Sequence, residues 1–139
     1  MQMQRATRSA IALALLLTAM AFAQSPTNAP SVEIAGAVMP KPGGKAEFRS
    51  NTGTTYDLLR GKMSEALFAD TNLHRRPLLL KGRALSNTVF EVTGNVRSIR
   101  RGQTNEVFYY CDICAIKQIE PGPCMCCREP VVLTEEPVK

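Results

Sequence analysis

All five cysteines of this 139-residue chain fall within seventeen residues, at Cys111, Cys114, Cys124, Cys126 and Cys127. Few features constrain a fold as tightly, because the backbone must bring those thiols together, as ligands of an ion or as bonded pairs. Taking Cys124 with Cys127 gives C-x2-C, nine residues, C-x2-C. A tight C-x2-C turn points both sulfurs to one side, so two such knuckles can surround one ion with four thiolates. Pro121-Gly122-Pro123 stiffens the approach to the second knuckle and limits the entropy lost on closing it. The spacer is shorter than that of many zinc ribbons, which implies a compact treble-like loop. Zinc suits four thiolates best, although Cu(I) and iron are also soft enough. The expected ligands are Cys111, Cys114, Cys124 and Cys127, with Cys126 a spare or alternative ligand.

The compartment bears on that choice. Arg5 and Arg8 precede the apolar run Ala10 to Ala23, which ends in Ala21-Phe22-Ala23. This is the pattern of a cleavable secretory signal over residues 1–23, with Gln24 the new N-terminus. The run is too short to span a bilayer comfortably, so no stable membrane span is expected after cleavage. An exported, periplasmic or secreted protein lives where disulfides persist, and two disulfides with one free cysteine compete with the metal reading. The odd count is awkward for a pure disulfide framework, and adjacent Cys126 and Cys127 cannot easily bond to each other. A third reading is thiol chemistry, either metal transfer or disulfide exchange, with Cys126 or Cys127 exposed and reactive.

Upstream of the cysteines the hydrophobic period reports mainly strands. Residues 24–30 form a polar, proline-bearing linker. Val32, Ile34 and Val38 alternate as in a half-buried strand, and Met39 to Gly44 reads as a loop. Ala46, Phe48 and Ser50 line a second strand, Asn51-Thr52-Gly53 a tight turn, and Tyr56 and Leu58 a third strand, so these two should form a hairpin. Met63, Ala66 and Leu67 then fall at helical spacing, which predicts one short helix over 62–70. Strand patterns return over 77–83 and 89–99, with Gly94 placed for a bulge or bend. After a turn at 101–105, Glu106 to Tyr110 is an additional aromatic strand. Three strands, a helix and two strands is the order of a five-stranded OB-type barrel. Met63, Leu67 and Phe68 would plug one end, and Gly36, Gly82 and Gly94 would permit strong coiling. The expected fold is mainly β: an OB-like five- to six-stranded antiparallel barrel over 31–110, one short helix, and a Cys-rich knuckle over 111–139.

Other chemistry is sparse. His74 is the sole histidine, no nucleophile elbow accompanies it, and Gly43-Gly44-Lys45 lacks the rest of a phosphate loop. No constellation for catalysis is legible. Without Arg5 and Arg8 the formal charge falls from +5 to +3. The remaining charge is uneven, with a net +5 over 24–110 and −2 over 111–139. A centre of four thiolates and a divalent cation would take the tail to −4, and Arg97, Arg100 and Arg101 are available to dock it, although a solvated strand end and turn is the plainer reading of these arginines. Phe108, Tyr109 and Tyr110 beside Arg97 and Arg100 offer a base-stacking platform on paper. Export removes the usual nucleic acids, and these aromatics read better as core.

The stretch from Val32 to Arg83, with Leu67-Phe68-Ala69-Asp70 and Leu80-Lys81-Gly82-Arg83, then Tyr109-Tyr110-Cys111-Asp112-Ile113-Cys114 and Pro121 to Cys127, resembles a group of small exported bacterial proteins without an assigned function. The resemblance implies bacterial export and carries no activity across. Taken together, these features describe an exported, non-catalytic binding or structural module that holds a metal ion, with a protein or small ligand rather than nucleic acid as partner.

Overall fold

The computed structural model describes residues 29–139. The signal reading for residues 1–23 and all but the end of the linker lie outside the described residues. The body is a closed five-stranded barrel of β1 (Val32–Lys41), β2 (Lys45–Ser50), β3 (Thr55–Leu58), β4 (Leu78–Ala84) and β5 (Val89–Val92). Neighbours run β1-β2-β3-β5-β4 and back to β1. Every contact in that ring is antiparallel except β3 with β5, which is parallel through Asp57 opposite Val89 and Leu58 opposite Phe90. The expected hairpin is present, with Phe48 opposite Tyr56.

Closure of so small a ring needs one strand to border two neighbours at once. Gly36 is that hinge: it is in register with Ser50 of β2 and with Leu78 of β4. A Cβ there would lie 2.1 Å from the Arg49 carbonyl oxygen. Gly82 meets the same demand where β4 turns to β5, its Cβ position being 2.1 Å from the Glu91 carbonyl oxygen.

Between β3 and β4 lies the single helix α1 (Glu65–Ala69), flanked by 3-10 turns at Lys62–Ser64 and Thr71–Leu73. It caps the barrel with Ala66 and Leu67, and Leu73 follows them inward. Met63 and Phe68, expected as plugs beside Leu67, pack only partly against the core. A five-residue helix has one inward stripe, and Ala66-Leu67 occupy it. The barrel interior is filled by Val38, Phe48, Leu78, Leu80 and Phe90, each wholly shielded from solvent.

Two segments depart from the sequence reading. Met39-Pro40-Lys41 continues β1 instead of starting a loop, with Pro40 opposite Ala46. The β4 ladder leaves β1 at Gly36, so a proline beyond that point blocks no second ladder. The run 89–99 is interrupted: β5 ends at Val92, and β6 (Arg97–Arg100) resumes beside β4 with Ser98 opposite Leu78. At the break, the Thr93 and Gly94 N–H groups both donate to the Lys81 carbonyl, so Gly94 stands at the expected bend.

Beyond the barrel the sheet extends through β6, β7 (Gln103–Cys111), β8 (Ile116–Gln118) and β9 (Val132–Pro137). The last of these pairs with β7 over six positions, from Asn105 opposite Pro137 to Tyr110 opposite Val132. Tyr109 faces Gln118 of β8 across one edge and Leu133 of β9 across the other. Glu135 of β9 forms ion pairs with Arg76 and, at 3.3 Å, with Arg100. Of the arginines available to dock the tail, Arg100 does so, against the plainer reading of a solvated strand end, whereas Arg97 turns to Glu33 at 3.1 Å. The chain's end is laced to its body.

Candidate metal centre

Strand β7 runs out of the core and ends at Cys111, which is 1% exposed and stands opposite Ile116. The four residues between them form the turn that carries Cys114, and Ala115 closes it with a left-handed backbone at φ +53°. The second knuckle is built the same way. Cys124 is wholly buried, Cys127 follows three residues later, and Arg128 closes the turn at φ +67°. Its base is clamped by the Arg128 N–H on the Cys124 carbonyl at 3.0 Å and the Cys124 N–H on the Glu129 carbonyl at 2.8 Å. Pro123 and Pro130 stand opposite each other beneath it. Two turns of like geometry thus meet face to face.

The sulfurs of Cys111, Cys114, Cys124 and Cys127 all lie within 4.8 Å of one another. The Cys111 and Cys127 sulfurs are 3.5 Å apart. An ion bound tetrahedrally at about 2.3 Å from each sulfur would set them about 3.8 Å apart, so the group fits one ion. A disulfide instead needs one partner at about 2.0 Å. Backbone donors converge on the inner thiol of each knuckle: Cys114 N–H lies 3.5 Å from Cys111 Sγ, and Cys126 N–H lies 3.4 Å from Cys124 Sγ. Such donors orient thiolates and spread their charge.

The electrostatics divide the four. The Cys127 N–H is the main influence on Cys124; desolvation opposes it, and the Cys126 N–H adds to it, leaving that thiol pulled down to about 7. Cys114 is pushed well above the ordinary thiol range, first by the Cys126 thiol, then by Cys127 and by burial. At Cys111 the Cys114 N–H pulls the pKa down, but desolvation and the thiols of Cys124 and Cys127 together win and the net shift is upward. Cys111 and Cys114 thus hold their protons unless a cation replaces them, while Cys124 gives up its proton more readily. The donor set therefore could hold a metal ion.

Cys126 is exposed and outside this group of four. His74 is far from ligand duty, as its Nε2 is 2.9 Å from the Leu67 carbonyl oxygen at the helix. The aromatic platform does not form: Phe108 and Tyr109 are buried, and the Tyr109 hydroxyl donates to Asp70 at 2.8 Å. One contributor escaped the sequence reading. Gln118, 8% exposed, donates to the Glu120 carbonyl at 2.9 Å and accepts from the Met125 N–H at 3.3 Å, tying the first hairpin to the second knuckle. A lone glutamine at the end of the three-residue strand β8 carries no periodic signal, so only its position between the knuckles hints at this. Beside the second knuckle lies an open groove of about 640 Å³, lined by Phe108, Ile119, Pro123, Met125 and Arg128 among others.

No family model, curated protein or solved structure matches the chain. The resemblance to small exported bacterial proteins gains no support from these comparisons.

Proposed function

We propose that this protein is an exported, non-catalytic binding module in which an OB-like barrel carries a zinc centre made by Cys111, Cys114, Cys124 and Cys127. The observation that carries this reading is the mutual approach of four sulfurs from two turns with converging N–H donors. Four thiolates in a closed tetrahedral set favour zinc or iron, and a redox-inert ion suits a structural role. Bound there, the ion would supply cross-linking and charge neutralisation. The residues would do the rest: the knuckles hold the thiols, Gln118 fixes their spacing, and the groove beside Met125 offers a surface to a protein or small ligand. Export rests on Arg5, Arg8 and the apolar run to Ala23.

Elemental analysis of chain purified from a bacterial periplasm without chelator tests this. One zinc per chain, lost in Cys111→Ser and Cys124→Ser, is the expected result. A coloured protein carrying iron would replace zinc in the reading, and a metal-free chain with paired thiols would overturn it in favour of a disulfide-stapled domain.

A further inference from the structure

Strand β9 pairs with β7 along one edge and, among the described residues, with no other strand. Three observations fix which of its backbone groups face outward. The Val138 N–H donates to the Thr104 carbonyl at 3.1 Å, which places the even-numbered residues of β9 in the hydrogen-bonded pairs with β7. The Val107 N–H, opposite Glu135, turns away from β9 to the Val96 carbonyl at 3.2 Å. Pro137, which has no N–H to give, falls at a position where that ladder needs none. The N–H groups of Leu133 and Glu135 and the carbonyls of Leu133, Glu135 and Pro137 therefore form an open row along the far side of the strand. Soluble proteins blunt such a row with charge. Here the face shared by Val132, Thr134, Glu136 and Val138 instead starts and ends on exposed apolar side chains, Val132 at 57% and Val138 at 43%.

We propose that this edge binds the same edge of a second copy of the chain, as an antiparallel two-fold pair centred on Glu135. In that register each Glu135 exchanges both backbone hydrogen bonds with its symmetry mate, and each Leu133 N–H reaches the Pro137 carbonyl of the other copy. Pro137 then contributes the acceptor it has and is spared the donor it lacks. The same register sets Val132 opposite Val138 on both sides of the axis, so the exposed valines cover one another. That coincidence selects a second copy over an unrelated strand. Two carboxylates on one axis would repel, but each Glu135 is already held by Arg76 and Arg100 of its own chain. The product is one sheet running through both molecules. It is independent of the metal-centre reading, because no thiol lies in β9.

The test uses the full chain purified from a bacterial periplasm, with reductant present so that no intermolecular disulfide is counted. Sedimentation velocity from about 1 μM to 1 mM is expected to show a reversible, concentration-dependent dimer. Val132→Lys combined with Val138→Lys places like charges opposite each other twice, and should weaken the dimer about tenfold or more. Val132→Lys combined with Val138→Glu places opposite charges there, and should restore affinity to within about threefold of the parent. Both positions are exposed, so neither variant disturbs the core. Amide exchange by NMR gives the second readout: Leu133 and Glu135 should be protected in the dimer and freed in the double-lysine variant, while Thr134 and Glu136, bonded to β7, stay protected in both. A chain that remains monomeric over the whole range would overturn the proposal. So would a dimer that the double-lysine variant leaves intact, and failure of the charge-paired variant to recover would overturn the register centred on Glu135.

Discussion

The two ends of the described chain are stabilised by different means. The barrel, from β1 to β5, encloses an apolar interior in which Val38, Phe48, Leu67, Leu78, Leu80 and Phe90 are wholly buried. The knuckle segment from Cys111 to Pro130 buries only Cys111, Gln118 and Cys124. Ile113 and Met125 face outward, 70% and 68% exposed, and Ile116 and Ile119 are only half-buried. Apolar packing can hold the first region without help, whereas the second has almost nothing to pack and depends on its thiols. Small loop-rich segments that cannot build a core are generally closed by a metal or by disulfides. The contrast marks the region in which a cross-link would contribute most.

Breaking the contrast should have its largest effect at the thiols. Chelation, or Cys124→Ser, should remove the metal and abolish amide protection over 111–130 while leaving exchange in β1 to β5 nearly unchanged. Free energies of about 10–16 kcal/mol are typical of structural zinc sites, so the loss should be complete. Hydrogen exchange by mass spectrometry distinguishes this from global unfolding. Acid should act in the same direction. Binding replaces protons on the thiols, so affinity should fall as pH falls, and more steeply below about 7, where Cys124 also takes up a proton. Competition titrations from pH 8 to 6 report that slope.

The opposite lesion belongs to the barrel. Phe90→Ala removes a side chain with no exposure, and should cost about 3–5 kcal/mol in denaturant unfolding whether or not metal is present. Equal destabilisation of the knuckle's metal affinity would contradict the division.

That division is only partly legible in the sequence. The alternation of Ala46 and Phe48 across a turn from Tyr56 and Leu58 gives the hairpin directly, since period two is a local property. The helix follows from the change of period at Met63, and the barrel from the order of three strands, helix and two strands. Long-range pairing was harder. β9 is not legible in the sequence, although Val131-Val132-Leu133-Thr134 has strand-forming composition, because so short an apolar run has no clear period and its partner β7 lies more than twenty residues upstream. Pro40 hid the end of β1, because a proline's effect depends on which neighbours the strand has. At the centre, the cysteine spacing indicated the four ligand candidates. The partners that orient them, Gln118 and the backbone N–H groups, depend on a fold that no spacing specifies.

Two smaller changes sharpen the boundary between the regions. Glu135 is 11% exposed and paired with Arg76 and Arg100, so Glu135→Ala leaves a half-buried guanidinium without its partner. It should destabilise β9 by about 1–3 kcal/mol, with faster exchange of β9 amides and little change in metal affinity. Finally, Ala115 and Arg128 close their knuckles in the left-handed region, where a non-glycine residue costs about 1 kcal/mol or more. Arg128→Gly should therefore tighten metal binding slightly, by about threefold or less, because the glycine's own unfolded-state entropy offsets much of the relief. Isothermal titration against a competing chelator reads a change of that size.

The most direct measurement is a pair of mass spectra, native and denaturing, of chain exported to a bacterial periplasm and purified without chelator. The expected result is a native mass carrying one zinc and, after denaturation, five free thiols. A metal-free native mass, short of two hydrogens for each bridge, would contradict the metal centre.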